Sequence, residues 1–288
     1  MALSLSLPDT MQHVEIIDND HFEKNYHRIK APKALNHLVD FYWQTKFDGL
    51  WNEYPNGFSD ALFPNIGYTY LVNLGSPFIM QVGNEKFKMK TDGFLPRHQS
   101  IECFHQKDNC LFGIKFKISP IIFEKKVNFS EYTGGIFPLS YLMEKTVLEN
   151  TKKAPGFKER VQILNDYFLS LIKSNDASIL PITIVSEILD HCSANKDFNP
   201  SITITAAKYN ISARTLQRYF EKCTGISTKK TLQILRIRKA VEEMAFAPES
   251  FDYSNYGFYD YSHFYKNLQQ FLPKPALTKL ISNFHKKE

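Results

Sequence analysis

Two rhythms of apolar residues divide this chain. Between roughly residues 22 and 130 apolar side chains alternate with polar ones or run in short blocks, as in GYTYLVNLG, FIMQVGNEKFKMK, SIECFH and CLFGIKFKIS, with Gly, Pro, Asn and Asp between the blocks. That pattern predicts strands joined by turns. From about 139 to 195 the interval changes, and Val161, Leu164, Phe168, Leu171 and Ile172 recur at three- and four-residue spacing in ERVQILNDYFLSLIKS, which predicts helix. The tract HCSANKDFNP, ending at Pro200, reads as a linker, and the remainder reads as several short helices. The expected organisation is α+β: a β-rich domain over residues 1–130, a helical connector over 131–199 and an all-helical domain over 200–288. At 288 residues the chain is long enough for two domains with separate cores.

Within the last domain, ISARTLQRYFEKCTG (residues 211–225) is the most informative stretch. Asn210 tolerates a left-handed turn, and Ser212 can cap the N–H groups of a helix that begins at Ala213. At about 100° per residue Leu216 and Phe220 share a face, while Arg214, Gln217 and Arg218 spread over about 100° on the other side. One face packs, and the other is free to touch something. Upstream, ITITAAKYN predicts a short helix with small Ala206 and Ala207 for close approach, and YNIS is the turn between the two. Short helix, tight turn and second helix make a helix-turn-helix. Arg bonds guanine O6 and N7 together and Gln bonds adenine N6 and N7, so this face suits the major groove; a surface helix is also polar through solvation alone.

The next fifty residues repeat the grammar. Thr228 can cap a helix through KKTLQILRIRKAVEEMAF, with Leu232, Leu235, Ala240, Val241 and Met244 at helical spacing and Pro248 as a stop. At about 1.5 Å per residue this rod spans roughly 27 Å. After it, SFDYSNYGFYDYSHFYKNL places Gly257 in a turn, Asp260 as a cap, Phe264 and Leu268 as an apolar pair, and Ser262, His263, Tyr265 and Lys266 on the remaining surface. A rod of that length sets two reading helices about one turn of DNA apart, roughly 34 Å. Charge follows the same division. The chain carries +5, yet residues 196–288 hold 15 Lys and Arg against 8 Asp and Glu, so the excess lies wholly in the last third. A basic module beside a near-neutral body is the footprint of a phosphate-backbone binder, although a basic face can also be merely solvated.

This arrangement resembles the AraC/XylS family of bacterial transcription regulators over roughly residues 200 to 284. The residues that carry the likeness are Ala206, Ser212, Leu216, Arg218, Phe220 and Gly225 in the first motif, Arg236 and Ala240 in the linking helix, then Gly257-Phe258, Ser262, Phe264 and Lys266. The resemblance implies that Arg214, Gln217 and Arg218 read bases from the first recognition helix, and that Ser262, His263 and Lys266 hold the corresponding positions of the second. The chain departs from the family pattern at Asp252 and Tyr253, where an Ile-Ala pair is usual, and at Pro273 and Ala276, where Gly and Pro are usual. Lys266 stands for the usual Arg, which exchanges a bidentate fork for a point charge and suits phosphate contact better than base readout. For His263 a packed or solvent-facing role is the alternative to a DNA contact, and Lys229, Lys230, Arg238 and Lys239 are either phosphate contacts or a solvated face.

The stretches APKALNHLVDFYWQ, ALFPNIGYTYLVNLGSPF and LFGIKFKIS resemble the β-rich sensor half of one branch of the same regulators: an amphipathic segment ending in Trp43, an extended pair and a closing Gly-x-x-Phe strand. The resemblance implies a barrel that senses a ligand or forms dimers, with the helices at 139–195 transmitting its state. Partners expected on this reading are double-stranded DNA, a small-molecule effector, RNA polymerase and a second copy of the chain. Alternatives are a barrel that serves only as a protein-interaction platform, or a small-barrel enzyme with a helical appendage.

Chemistry for an enzyme is hard to find. His98, Glu102 and His105 in RHQSIECFH superficially suggest a metal site, but side chains alternate along a strand, so residues 98 and 102 share a face that 105 does not. There is no HExxH, GxSxG, P-loop or dinucleotide fingerprint. Cys103, Cys110, Cys192 and Cys223 have no zinc or redox spacing and read as reduced, packed thiols. The expectation is no metal and no cofactor. Trp43, Tyr68 and Tyr70 either line a ligand cavity or are plain core. The start MALSLSLPDT lacks the pattern of a secretory leader and no window of about 18 apolar residues occurs, so the expected location is cytoplasmic, with no membrane partner.

Overall fold

The computed structural model describes residues 11–123, 134–175, 179–272 and 274–285. The leader reading of residues 1–10 and the departure at Pro273 lie outside these. Among the described residues, eleven strands form two sheets in the first half of the chain. The first sheet runs β1(Met11–Val14), β4(Phe58–Leu62), β9(Ile101–Phe104), β6(Phe78–Val82) and β7(Glu85–Met89). The second runs β11(Phe137–Pro138), β8(Gly93–Pro96), β5(Tyr68–Asn73), β10(Leu111–Phe116), β3(Val39–Thr45) and β2(Tyr26–Lys30). Neighbours are antiparallel except β1 on β4, which is parallel.

Alternation explains both faces of the second sheet. Along β5 and β10, Tyr68, Tyr70, Val72, Phe112, Ile114 and Phe116 point out towards the helices, while Leu71 and Leu111 point in to meet Phe78, Met80, Ile101 and Cys103 of the first sheet. Both faces are covered, so the strands read as nearly continuous apolar runs. An aromatic group of Phe22, Tyr26, Phe47 and Phe58 adds a third cluster, with Trp43 and Trp51 packed on it. The Gly-x-x-Phe strand has a local reason. Gly113 of β10 lies opposite Trp43 of β3, and a Cβ there would fall 2.0–2.4 Å from three atoms of the indole. Gly113→Ala is therefore expected to displace Trp43 and to cost about 1–3 kcal/mol, read as a lower urea midpoint together with a shift in tryptophan fluorescence. The segment ending in Trp43 is one 3-10 turn at Lys33–Leu35 followed by strand β3, as its β-branched and aromatic run favours.

Helices follow. The short α1(Asn19–Asn25) and α2(Leu50–Glu53) belong to the barrel half, and α3(Lys145–Lys153), α4(Phe157–Lys173) and α5(Ile179–Asn195) form the connector. Phe168 of α4 meets Phe116 at 5.3 Å between ring centroids, and the Tyr42 hydroxyl donates to Asn165 Oδ1 at 2.9 Å, which fixes α4 on the outer face of the second sheet. The tract expected to be a linker is helical through Asn195. Cys192 is buried, and the helix ends where Lys196 turns left-handed (φ 52°). α5 packs on the C-terminal helices α7(Ala213–Thr224) and α8(Thr228–Phe246). The remaining helices are α6(Ile202–Lys208), α9(Tyr261–Gln269) and α10(Lys274–His285). The molecule is thus α+β, a β-rich barrel-like half, a helical connector and an all-helical end with two helix-turn-helix units. One apolar cluster runs unbroken from Tyr42 and Tyr70 through Phe168 and Ile184 to Leu216, Phe220 and Phe264, beside a separate cluster inside the barrel. No described helix is long and apolar enough to cross a membrane.

Candidate nucleic-acid interface

The first unit is built by local signals. Asn210 adopts φ 55° in the turn after α6, and the Ser212 hydroxyl accepts the Thr215 N–H at 3.1 Å, so α7 starts at Ala213. Leu216, Phe220 and Cys223 are fully buried. Arg214, Gln217 and Arg218 are all exposed, on the opposite flank, and none makes a hydrogen bond or ion pair among the described residues. Three unpaired donors on one flank of a capped helix are free to bond an outside acceptor.

The second unit is less regular. Its leading element is a single 3-10 turn, Tyr253–Tyr256, capped by the Asp252 carboxylate accepting the Ser254 N–H and ended by Gly257 at φ 71°. Asp260 then accepts the His263 N–H at 2.7 Å and starts α9, whose Phe264 and Leu268 are buried. Ser262, His263 and Lys266 are exposed on the other side. The His263 ring is held locally: Nδ1 accepts the Tyr259 N–H at 3.3 Å, so a neutral ring carries its proton on Nε2 and presents it outwards. Ser227, one residue before Thr228, is the cap of α8 and accepts the Lys230 N–H. The nineteen residues of α8 make a rod of about 28 Å. A groove with Lys229, Gln233 and Arg236 on its wall opens beside this rod.

Arg238 is neither a phosphate contact nor part of a solvated face, because it is buried against the barrel half. Its Nη2 donates to Glu15 Oε1 at 3.0 Å, Nε donates to Glu242 Oε1 at 2.9 Å, and Nη1 donates to the carbonyls of Phe63 and Pro64. Arg97 Nη2 reaches the other Glu15 oxygen at 3.1 Å. Burial alone would raise the Glu15 carboxyl, but Arg238, Arg97 and Lys115 together pull it down to about 2. Lys279 of α10 donates to Gln12 O and pairs with Asp18. A third link joins α7 itself. Gly225 closes it at φ 75° directly over Tyr68, whose hydroxyl would lie 2.1 Å from an added Cβ, and Ser119 N–H donates to Cys223 O at 2.6 Å. His98 lies in this contact, and burial pushes its imidazole down to about 4, a shift that the nearby backbone of Thr224 and Ile66 only partly offsets. Lys230 lies over the Phe271 ring and Lys239 pairs with Glu242; Lys229 is exposed.

Inside the barrel a cavity of about 60 Å³, partly open to solvent, is walled by Trp43, Leu71, Met80 and Leu95, with Arg28, Arg97 and Lys115 among the polar groups. Burial lowers the Lys115 ammonium to about 8. Tyr68 and Tyr70 face the helices and do not line it. His98, Glu102 and His105 are not brought together: His98 sits at the barrel's contact with α7, Glu102 accepts from Gln12 and Ser59, and His105 turns to Asp60. Sequence reasoning missed the clasp around Glu15 and the polar cluster around Asp60, whose members lie too far apart in the chain to form a motif.

No family model matches the chain, and no curated protein matches it. Among solved structures the chain is similar to ToxT from Vibrio cholerae O395, at 12% identity over 89% of this chain and 96% of that one, with a TM-score of 0.41. Unsaturated fatty acid bound wild-type ToxT from Vibrio cholerae strain SCE256 gives 11% identity over 90% and 95%, with a TM-score of 0.41. ToxT from Vibrio cholerae O395 bound to (E)-4-(8-methylnaphthalen-1-yl)but-3-enoic acid gives 12% over 89% and 98%, with a TM-score of 0.42.

Proposed function

We propose that this chain is a sequence-specific DNA-binding transcription regulator of the AraC/XylS type. The observation that carries the reading is the exposed, unpaired flank of Arg214, Gln217 and Arg218 on a helix whose other flank is fully packed. α7 and α9 would enter successive major-groove segments, α7 reading bases through its arginines and glutamine. Ser262, the outward Nε2–H of His263 and the Lys266 ammonium would serve α9, Lys266 at a phosphate. Backbone contacts would supply most of the affinity and its salt dependence. The barrel cavity, apolar on most walls with cationic groups at hand, suits a small apolar molecule that carries one anionic group. Such an effector acts only by favouring one arrangement of the halves over another. RNA polymerase and a second copy of the chain complete the partners on this reading.

The test is a gel-shift titration on DNA selected from a random library by the intact chain. Arg218→Ala is expected to weaken the selected site by about 1–3 kcal/mol and to relax its sequence preference. Lys266→Ala is expected to weaken all sequences about equally and to reduce the salt slope by about 1. Arg218→Ala binding with unchanged affinity and preference rejects the assignment.

A further inference from the structure

Beneath the barrel's first sheet, far in sequence from the reading helices, two histidines and an aspartate converge. His13 comes from β1, His21 from α1 and Asp60 from β4, and one ligand atom from each lies within 4.8 Å of the others. Asp60 is wholly buried, and the His13 and His21 side chains are 8% and 7% exposed. Three observations distinguish this group from an ordinary hydrogen-bonded cluster. First, both histidines address the same atom: His21 Nε2 lies 2.8 Å and His13 Nδ1 3.4 Å from Asp60 Oδ1. Bonds of about 2.0–2.1 Å to a tetrahedral zinc ion put neighbouring ligand atoms about 3.3 Å apart, close to these two edges, and because the two rings stack at 3.6 Å and 5° one of them has to rotate to share the ion. Second, His13 Nδ1 is buried 3.4 Å from that oxygen and makes no well-aligned hydrogen bond. An orphaned buried nitrogen has a cost that a cation would remove. Third, the carboxylate is already held from behind. Asp60 Oδ2 accepts from the Tyr26 hydroxyl at 2.5 Å and from His105 Nε2 at 2.9 Å, and His105 Nδ1 in turn meets Asn109 Oδ1 at 2.6 Å. Outer contacts of this kind fix a carboxylate's plane and leave one oxygen for a metal.

We propose that His13, His21 and Asp60 form a binding site for a divalent first-row transition cation of the Zn²⁺ class. Two neutral imidazoles and a carboxylate are a borderline-soft donor set that suits such an ion better than Mg²⁺ or Ca²⁺, which take oxygen ligands. The site also has a structural setting. Glu15 and Asp18 lie in the chain between the two histidines and hold Arg238 of α8 and Lys279 of α10. A cation on His13, His21 and Asp60 closes the segment from 13 to 21 into a loop pinned to the barrel, and that loop is the strap on which the C-terminal helices dock.

The experiment uses the full chain, stripped with a chelator and then titrated with Zn²⁺ against a competing chromogenic chelator, and separately with Co²⁺. One Zn²⁺ per chain is expected, along with the intense visible absorption of low-coordinate Co²⁺. His13→Phe keeps the ring that stacks on His21 at 3.6 Å and removes the ligand atom, so it should fold and bind Zn²⁺ at least about tenfold more weakly. His21→Gln should do the same, while His191→Gln, on exposed α5 surface, should leave the affinity unchanged. Failure of the wild-type chain to bind one equivalent, or binding that survives both His13→Phe and His21→Gln, overturns the proposal. The wild-type stoichiometry and Co²⁺ spectrum decide it even where a variant does not fold, and no part of the test depends on DNA binding.

Discussion

Replacing Arg238 with alanine is expected to lower the stability of the whole chain by about 3–5 kcal/mol, the cost of removing one partner from a buried ion pair. Glu15 would keep Arg97 but lose its bond to Arg238 Nη2, and the Pro64 carbonyl would lose a donor that water cannot easily replace. The guanidinium stem also fills space between α8 and the barrel, so packing is lost with the charge. The loss should change little with added salt, because ions screen a buried pair far less than an exposed one. Urea midpoints of wild type and Arg238→Ala at low and high salt measure it. A loss below about 1 kcal/mol, the range of an exposed pair, would show that the clasp is energetically slack.

Acid is expected to loosen the same contact from a different place. His98 takes up its proton near pH 6.5 in the unfolded chain and only near about 4 in the folded one. Between those values the unfolded state binds more protons, so stability is full above pH 6.5 and falls as the pH drops towards 4. At about 1.36 kcal/mol per pH unit the loss reaches about 2 kcal/mol by pH 5 and about 3 in full. Glu15, depressed from 4.5 to about 2, gives its own loss only below pH 4.5; between pH 7 and pH 5 His37, also lowered by burial, adds to the loss and His105, raised beside Asp60, opposes it, so the difference between wild type and a His98 variant is what reports His98. His98→Leu should flatten the urea midpoint between these two pH values. An unchanged slope in that variant assigns the acid limb to another group.

Features that depend on neighbours in sequence were legible. Asn210 and Ser212 open α7, Asp260 opens α9 and Gly257 turns left-handed because each acts on backbone within a few residues. The cap of α8 was displaced by one position, since Ser227 and Thr228 carry the same hydroxyl chemistry and only the helix's true start chooses between them. Only the last turn of α5 reads as linker, because its polar end, HCSAN, shows the sequence one buried residue, Cys192, while its packing comes from α7 and α8. Arg238 was misread because its partner Glu15 is 223 residues away, and a lysine- and arginine-rich helix looks the same in sequence whether it faces phosphate or a buried carboxylate. The Asp60 cluster gathers residues up to 92 positions apart, from His13 to His105, with no spacing to betray it.

α5 shields part of the flank that Leu216 and Phe220 turn away from solvent, and Tyr68 sits under the glycine that closes α7. The C-terminal helices are therefore not a cassette. A graft that began at α6 would carry the exposed flank of Arg214, Gln217 and Arg218 intact but leave behind the wall it leans on. Any chimera built from these helices has to bring α5 along and rebuild the seat beneath Gly225.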